Sequence, residues 1–527
     1  MIIMRELFSK EFIRRVADNK EKILLFCLLF VFIALMFSQK ITLVTADLGR
    51  HIVNGKLTLT EGTILKTNNY SYTEPDFETV NHHWGSGVIF YLIWKLFDFY
   101  GISIFYTVIN VSAFLLVFLV AKRRSTLLPL FFFSVLAIPM IAYRTEIRPE
   151  GFSYLFLAAY FFILDTYRSK HIPRFVFILL PILQILWVNL HIYFILGIGL
   201  ALTFGVECLK KKNRAYLKER LILVGLLIIS SLCNPFFIKG LIEPFLIFQE
   251  YGYRVYENQS ILFLQRRFGE QIFLHVEVLS VVVVIVILML YFRKKLSQLY
   301  PETILVILFA VLSWKLVRSI PLFGLVFIPF STKAFSILIK NTKMITYTYI
   351  RYSMISFSLF ILFIGLITTK HYYTPFNGKF GWGLVDNVQD SGQFFKNNNL
   401  KGPILNNYDI GGYLIYHLYP TERVFVDNRP EAYSISFFQD TYIPMQENDE
   451  TWKIFDKQYN FNAIFFERRD LTPWAQTFLV NRVDDSKWAP VYVDAYTIIF
   501  LKRNRKNKPV IKEFELPREL FQIIINE

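Results

Sequence analysis

Ile102-Ser-Ile-Phe-Tyr-Thr-Val-Ile-Asn-Val-Ser-Ala-Phe-Leu-Leu-Val-Phe-Leu-Val-Ala121, followed at once by Lys122-Arg-Arg124, decides how the chain is read. Twenty residues pass without one charged side chain, and then three cations arrive together. A helix of about 20 residues is roughly 30 Å long, the thickness of a bilayer's hydrocarbon core. Clustered Lys and Arg at one end of such a helix mark the side kept in the cytoplasm.

Working outward, ten further apolar stretches reach or approach that length: Ile23–Phe37, Leu127–Tyr143, Phe152–Thr166, Phe175–Leu190, Ile192–Cys208, Leu221–Cys233, Phe273–Phe292, Ile304–Val317, Ile320–Phe330 and Ser353–Thr368. The short ones are accommodated by flanking residues or by a smaller tilt. The pattern predicts a polytopic α-helical membrane protein with about eleven spans over residues 23–370, preceded by a basic arm at 1–22 and followed by a small α/β domain at 371–527.

Composition agrees. Of 527 residues, 54% are hydrophobic and 55 are Phe, far more than a water-exposed surface tolerates. The net charge of +16 raises nucleic acid as a partner. Its placement argues for topology instead. Arg5–Lys22, Lys122–Arg124, Arg168–Arg174, Lys210–Arg220, Arg293–Lys295 and Lys333–Arg351 each border apolar stretches, and no basic-aromatic nucleic-acid module is present. Cys27, Cys208 and Cys233 show no paired spacing and read as small core residues. The long polar N-terminus and the absence of a small-residue cleavage site after Phe37 make Ile23–Phe37 a retained first helix.

With the N-terminus inside, Val88–Phe97 must not span, or every later basic loop would face outward. It reads as an interfacial helix within a first outer loop at 38–101. The other outer segments are then Arg144–Gly151, a turn at His191, Asn234–Ile272, a turn at Arg318 and everything after Lys370. In the tail, Pro403–Asn406, Val424–Asp427, Ala463–Phe466 and Val491–Leu501 read as strands between short helices, and Lys502–Lys508 reads as a frayed basic stretch.

Ionisable residues at the membrane edge are costly, so they direct the search for chemistry. Four clusters fall on the outer side: Asp47-Leu-Gly-Arg50-His51; Asn81-His82-His83-Trp84; Arg144-Thr-Glu146-Ile-Arg148-Pro-Glu150; and Asn189-Leu-His191 with Arg318. A carboxylate such as Asp47 can take a proton from an acceptor hydroxyl or hold a cation, and the same residue can also serve as an interfacial ion-pair partner. The guanidiniums of Arg144, Arg148 and Arg318 match phosphate oxygens with a rigid fork of donors, or pair with Glu146 and Glu150. In the tail, Gly411-Gly412 marks either a close approach to a ligand or a strand-to-helix turn. No HExxH, GxGxxG, Walker or GxSxG motif is present.

These elements together resemble the C-type (GT-C) membrane glycosyltransferases, and more narrowly bacterial GT-C-like membrane proteins of largely unassigned function. The resemblance is carried by Asp47-Leu-Gly-Arg-His51-Ile-Val-Asn-Gly55, Tyr70-Ser-Tyr-Thr73, His83-Trp84, Arg148-Pro149, Asn189-Leu-His191 and Gly411-Gly412-Tyr-Leu-Ile. It implies a sugar transferred from a polyprenyl-phosphate donor to a lipid, glycan or protein acceptor at the outer face of the bacterial cytoplasmic membrane. Asp47 would be the catalytic carboxylate. Arg50, His51, His83, Arg144, Arg148, Glu150, His191 and Arg318 would bind substrate and lipid phosphate. No metal ligand is assigned, and a divalent cation stays open as a cofactor. Two rivals remain at this point: a transporter or flippase of an anionic lipid or glycan, and a non-catalytic assembly protein with the tail as its binding module.

Overall fold

A computed structural model describes residues 10–246, 249–340, 344–368 and 380–521. The first nine residues of the basic arm and the junction at 371–379 lie outside the described residues. Helices run through all eleven apolar stretches: α1 (Lys10–Phe37), α2 (Leu48–Glu61), α3 (Trp84–Lys122), α4 (Leu127–Ile141), α5 (Glu150–Thr166), α6 (Val176–Leu190), α7 (Ile195–Lys210), α8 (Arg214–Ser231), α9 (Ile238–Leu246), α10 (Ile261–Phe268), α11 (Gln271–Phe292), α12 (Tyr300–Lys315), α13 (Ile320–Leu338) and α14 (Met344–Thr368). Among the described residues, five helices are long and apolar enough to cross a membrane: Trp84–Lys122, Ile192–Lys210, Gln271–Phe292, Leu296–Lys315 and Val317–Leu338. Ile23–Phe37, Leu127–Ile141 and Val176–Leu190 are apolar but shorter.

The span Ile102–Ala121 continues from a helical segment that begins at Trp84. The two are separated by Asp98, whose backbone leaves the helical region (φ 53°, ψ −161°). The stretch Val88–Phe97 is thus a helix of its own on the near side of that break. It packs on α2, which sits inside the expected first outer loop. The two helices approach closely where Gly55 meets Gly87: a Cβ on Gly55 would lie 2.0 Å from the Gly87 carbonyl oxygen.

The tail contains α15 (Asp390–Asn397), β1 (Ile404–Asn406), α16 (Gly411–Leu418), β2 (Ala463–Glu467), β3 (Trp488–Val493) and β4 (Thr497–Lys502). The sheet order is β1-β2-β4-β3, with β1 parallel to β2 and the other pairs antiparallel. Three expectations need correction here. Val491–Leu501 is a hairpin rather than one strand, because Asp494 Oδ1 accepts the backbone N–H groups of Tyr496 and Thr497 and turns the chain. Val424–Asp427 does not join the sheet. Its backbone pairs with the first loop instead: Val424 N donates to Tyr70 O at 3.0 Å and Tyr72 N to Val424 O at 3.2 Å. Lys502–Lys508 is not frayed, since Lys502 closes β4 and buried Asn507 donates to Asn462 and Lys502 oxygens before a further helix, Lys508–Phe514. Of the cysteines, only Cys208 is buried; Cys27 and Cys233 are exposed.

The Tyr70–Thr73 element therefore fastens loop to tail. Ser71 Oγ and Thr73 Oγ1 both donate to Phe425 O, at 2.9 and 3.0 Å, and Tyr72 OH donates to Ile404 O at 2.8 Å. Gly411-Gly412 serves packing. A Cβ on Gly49 would come within 2.6 Å of the Gly412 carbonyl oxygen, so bare backbone lets α16 seat on α2 directly beside Asp47.

Candidate functional site

Between the helical region and the tail lies a cavity of about 1610 Å³. Asp47, Arg50, His51, His83, Arg144, Arg148, Glu150, His191 and Arg318 all border it, although they span more than half of the sequence. Asp47 stands at the start of α2. Arg144 and Arg148 lie in the turn between α4 and α5, and Glu150 opens α5. His191 follows α6, and Arg318 lies between α12 and α13.

Asp47 is held from two sides. Its Oδ2 lies 3.0 Å from Arg148 Nη1, and its Oδ1 accepts a hydrogen bond from Asn428 Nδ2 of the tail. Asn428 in turn accepts from Arg50 Nε at 3.4 Å. Arg148 also meets Glu146 at 2.9 Å and Glu257 at 3.1 Å. Burial opposes the charge of Arg148, but Asp47, Glu257 and Glu146 outweigh it and hold its pKa above the ordinary guanidinium value. Glu150 pairs with Arg144 Nε at 2.8 Å and Arg318 Nη2 at 3.2 Å. Arg318 also takes Asn258 Oδ1 at 3.1 Å and stands over the Tyr193 ring.

Four of the chain's eight histidines form a second group. The His83 ring centroid lies 3.9 Å from His82, 5.4 Å from His51 and 5.3 Å from His191. Burial, reinforced by nearby cations, keeps His51, His83 and His191 well below the usual imidazole value, and His82 comes down to about 4. These rings are therefore neutral at pH 7. His191 has a defined orientation. Trp187 Nε1 donates to Ser153 Oγ at 2.7 Å, Ser153 Oγ lies 2.8 Å from His191 Nδ1, and the Tyr193 N–H also reaches that nitrogen. Nδ1 is thus the acceptor, which leaves the proton on Nε2. Trp84 Nε1 donates to Asn189 Oδ1 at 2.9 Å, so the His-His-Trp and Asn-Leu-His elements dock on each other. Among the described residues, the buried His51 Nδ1 has no hydrogen-bond partner.

The tail contributes a largely acidic wall: Asp409, Glu431, Glu447, Glu467 and Asp470, with Arg469 among them. Burial, followed by neighbouring carboxylates, raises Asp409 well above its usual range. Burial likewise raises Glu431, and it pushes Glu467 up to about 8.

Sequence reasoning missed several of these groups. Glu257 was one residue in a long outer segment, yet its carboxylate touches Arg144, Arg148 and Arg318. The signal that could have found it is charge parity: three arginines at one membrane edge need anionic company. Asn428 directly follows the expected strand Val424–Asp427, but nothing local tied it to a residue 381 positions away. The acidic wall carried no local pattern at all.

Among the described residues, no group of three or more His, Cys, Asp or Glu is arranged to hold a metal ion. Both Asp47 oxygens already face nitrogen donors. As placed, the Asp47 carboxylate does not suit a cation.

No protein-family model matches the chain, and no curated protein matches it by sequence. Solved structures do. The crystal structure of the Archaeoglobus fulgidus oligosaccharyltransferase tethered to an acceptor peptide containing an NVT sequon superimposes with a TM-score of 0.56 at 10% identity, covering 90% of this chain and 74% of that one. The same enzyme in complex with Zn and sulfate gives a TM-score of 0.54 at 11% identity, with 90% and 73% coverage. The chain shares the fold of that enzyme.

Proposed function

We propose that this protein is a GT-C-type glycosyltransferase that moves a sugar from a polyprenyl-phosphate donor to a lipid, glycan or protein acceptor on the outer face of a bacterial cytoplasmic membrane. The carrying observation is the cavity. Nine polar residues from separate segments border it, in a fold shared with an oligosaccharyltransferase. In this reading all eleven apolar helices cross, the basic loops face the cytoplasm, and the α/β tail lies outside over the cavity mouth.

Asp47 takes the proton of the acceptor hydroxyl as that oxygen attacks the anomeric carbon. The bond from that carbon to the phosphate oxygen breaks in the same displacement, so the configuration inverts. The lipid phosphate leaves with the electron pair, and Arg144, Arg148 and Arg318 neutralise it. Arg148 links the two events. It is paired with Asp47 at 3.0 Å, and a growing charge on the leaving phosphate draws the guanidinium away. The Asp47 carboxylate is then released from its cationic partner as it takes the acceptor's proton. The donor arrives laterally through the bilayer, so no nucleotide-binding fold is required.

The test is reconstitution of the purified protein in lipid discs with polyprenyl-phosphate-linked sugars, together with lipid and glycan profiling of a deletion strain. The expected result is accumulation of one lipid-linked sugar in the deletion strain and its consumption by the wild-type protein. A deletion strain with unchanged lipid-linked sugars and glycans would overturn the assignment.

A further inference from the structure

Glu257 occupies an unusual position among the cavity carboxylates. Its Oε2 lies 3.1 Å from both Arg144 Nη2 and Arg148 Nη1, and its Oε1 lies 3.8 Å from Arg318 Nη2. No other carboxylate of the cluster touches all three guanidiniums. Each arginine also has a second anionic partner: Arg144 and Arg318 share Glu150, and Arg148 has Asp47 and Glu146. Taking Glu257 away therefore leaves every arginine paired, yet frees the one position common to all three. That position suits a tetrahedral phosphate, whose oxygens can meet several guanidiniums at once.

The charge balance points the same way. Three arginines face the four carboxylates Asp47, Glu146, Glu150 and Glu257. The cluster as it stands has no surplus positive charge to offer an anion. Two anions in one partly buried position repel strongly, so Glu257 and a phosphate exclude each other.

We infer that Glu257 is a resident carboxylate that competes with the anionic headgroup for the three-arginine position, so that donor binding requires its displacement; this rests on the reading of the arginines as the lipid-phosphate site. The displacement is a side-chain rotation. The turn that carries Glu257 is pinned, with Val317 N donating to Gln259 O at 3.1 Å and Asn258 N to Val255 O at 3.2 Å. The side chain keeps 15% of its surface exposed toward the cavity, so it has room to swing. The competition sets a threshold: an uncharged lipid gains nothing by moving Glu257, whereas a phosphate gains three guanidiniums.

The experiment measures binding of a water-soluble short-chain isoprenyl phosphate, the matching isoprenol and inorganic phosphate to full-length wild-type, Glu257→Gln and Glu257→Asp proteins in lipid discs. Removing a competitor raises apparent affinity by the inverse of the competent fraction, and an increase of about tenfold is expected for Glu257→Gln. Glu257→Asp, with a shorter arm, should fall between Gln and wild type, and it keeps the test alive if the Gln variant does not fold. Isoprenol affinity should not change. Unchanged or weaker isoprenyl phosphate binding in the folded variants would overturn the competition. If all three proteins bind isoprenyl phosphate no better than isoprenol, the arginine site itself fails. Tighter inorganic phosphate binding without a gain for the lipid phosphate would place a free anion at the site and overturn a lipid headgroup as its occupant.

Discussion

The two ends of α5 carry the same chemistry in different packing. At its start, Glu150 meets Arg144 and Arg318 beside the cavity. At its end, Asp165 pairs with Arg124 and Arg123, and Arg168 binds Glu207 and Glu302 at 2.6 Å each. α13 repeats the arrangement, with Arg318 just before its start and Lys333, bound to Glu302 at 3.1 Å, fifteen residues later. Fifteen residues of helix separate the two networks by about 22 Å. At the far end the carboxylates Asp165 and Glu302 are 1% and 2% exposed, their partners Arg124 and Arg123 keep 26% and 33%, and the whole network is sealed off from the cavity, which none of it borders. At the cavity end Asp47, Arg148 and Glu257 keep 16%, 16% and 15%. A network sealed off from the cavity holds helices together. An open one can trade partners with a ligand. Charge at a membrane edge therefore does not by itself identify function; access to it does.

The largest expected contrast separates activity from folding. Asp47→Asn keeps size and removes the charge, so the protein should fold while turnover falls by about 10²–10⁴-fold, the usual contribution of a general base. Glu302→Gln in the sealed network should do the reverse. Three cations surround Glu302, and breaking a buried ionic network costs about 3–5 kcal/mol. Thermal unfolding in detergent should report that loss, with turnover per folded molecule unchanged. An Asp47→Asn protein that transfers sugar at the wild-type rate would erase the distinction between the two ends.

A smaller contrast uses one substitution at both ends. Arg148→Lys replaces a fork of donors with a point charge, so it should raise the donor concentration needed for half-maximal rate by about tenfold. Arg168→Lys should lower the unfolding temperature and leave that concentration alone. Equal kinetic effects from both would mean that Arg148 acts only as a brace.

The contrast also explains what the sequence could show. Apolar length and loop charge made the helices legible, because the bilayer imposes both on the chain directly. Asp47, His83, Arg148 and His191 were legible because each sits at a helix end on the same predicted side, and a shared side can be read without knowing the packing. Glu257 and Asn428 were not, since their roles exist only once two distant segments meet. Val424–Asp427 failed for a related reason. Its β-type composition is satisfied by pairing with Tyr70–Tyr72, a partner that no local pattern names. The sealed network was visible in the sequence as basic loops, but its carboxylates Asp165, Glu207 and Glu302 were absorbed into helices and passed unremarked.

The smallest effect concerns the acidic wall, where burial leaves a carboxyl group poorly solvated. Burial raises Glu467 to about 8, above its ordinary value of 4.5. The sign follows from the raised value: the stability tied to this group is fully present below about pH 4.5 and is lost as pH rises through about 8. Glu467→Gln fixes the group in a neutral form. At pH 4 its unfolding temperature should match the wild type, and at pH 6, where the unfolded wild type has lost its proton and the folded form has not, the variant should already unfold at a somewhat higher temperature. At pH 9 the wild type must carry a poorly solvated carboxylate and the variant need not, so the variant should unfold at the higher temperature. The histidine cluster runs the other way: the lowered pKa of His82 removes stability as pH falls from about 6.5 through about 4, and His51, His83 and His191 act in the same direction. Measuring the Glu467→Gln difference at both pH 6 and pH 9 isolates the carboxyl from the imidazoles, since the histidines are neutral across most of that interval. A difference that is the same at both pH values would show that Glu467 is already ionised at pH 6, and the acidic wall would then present a charge to whatever enters the cavity.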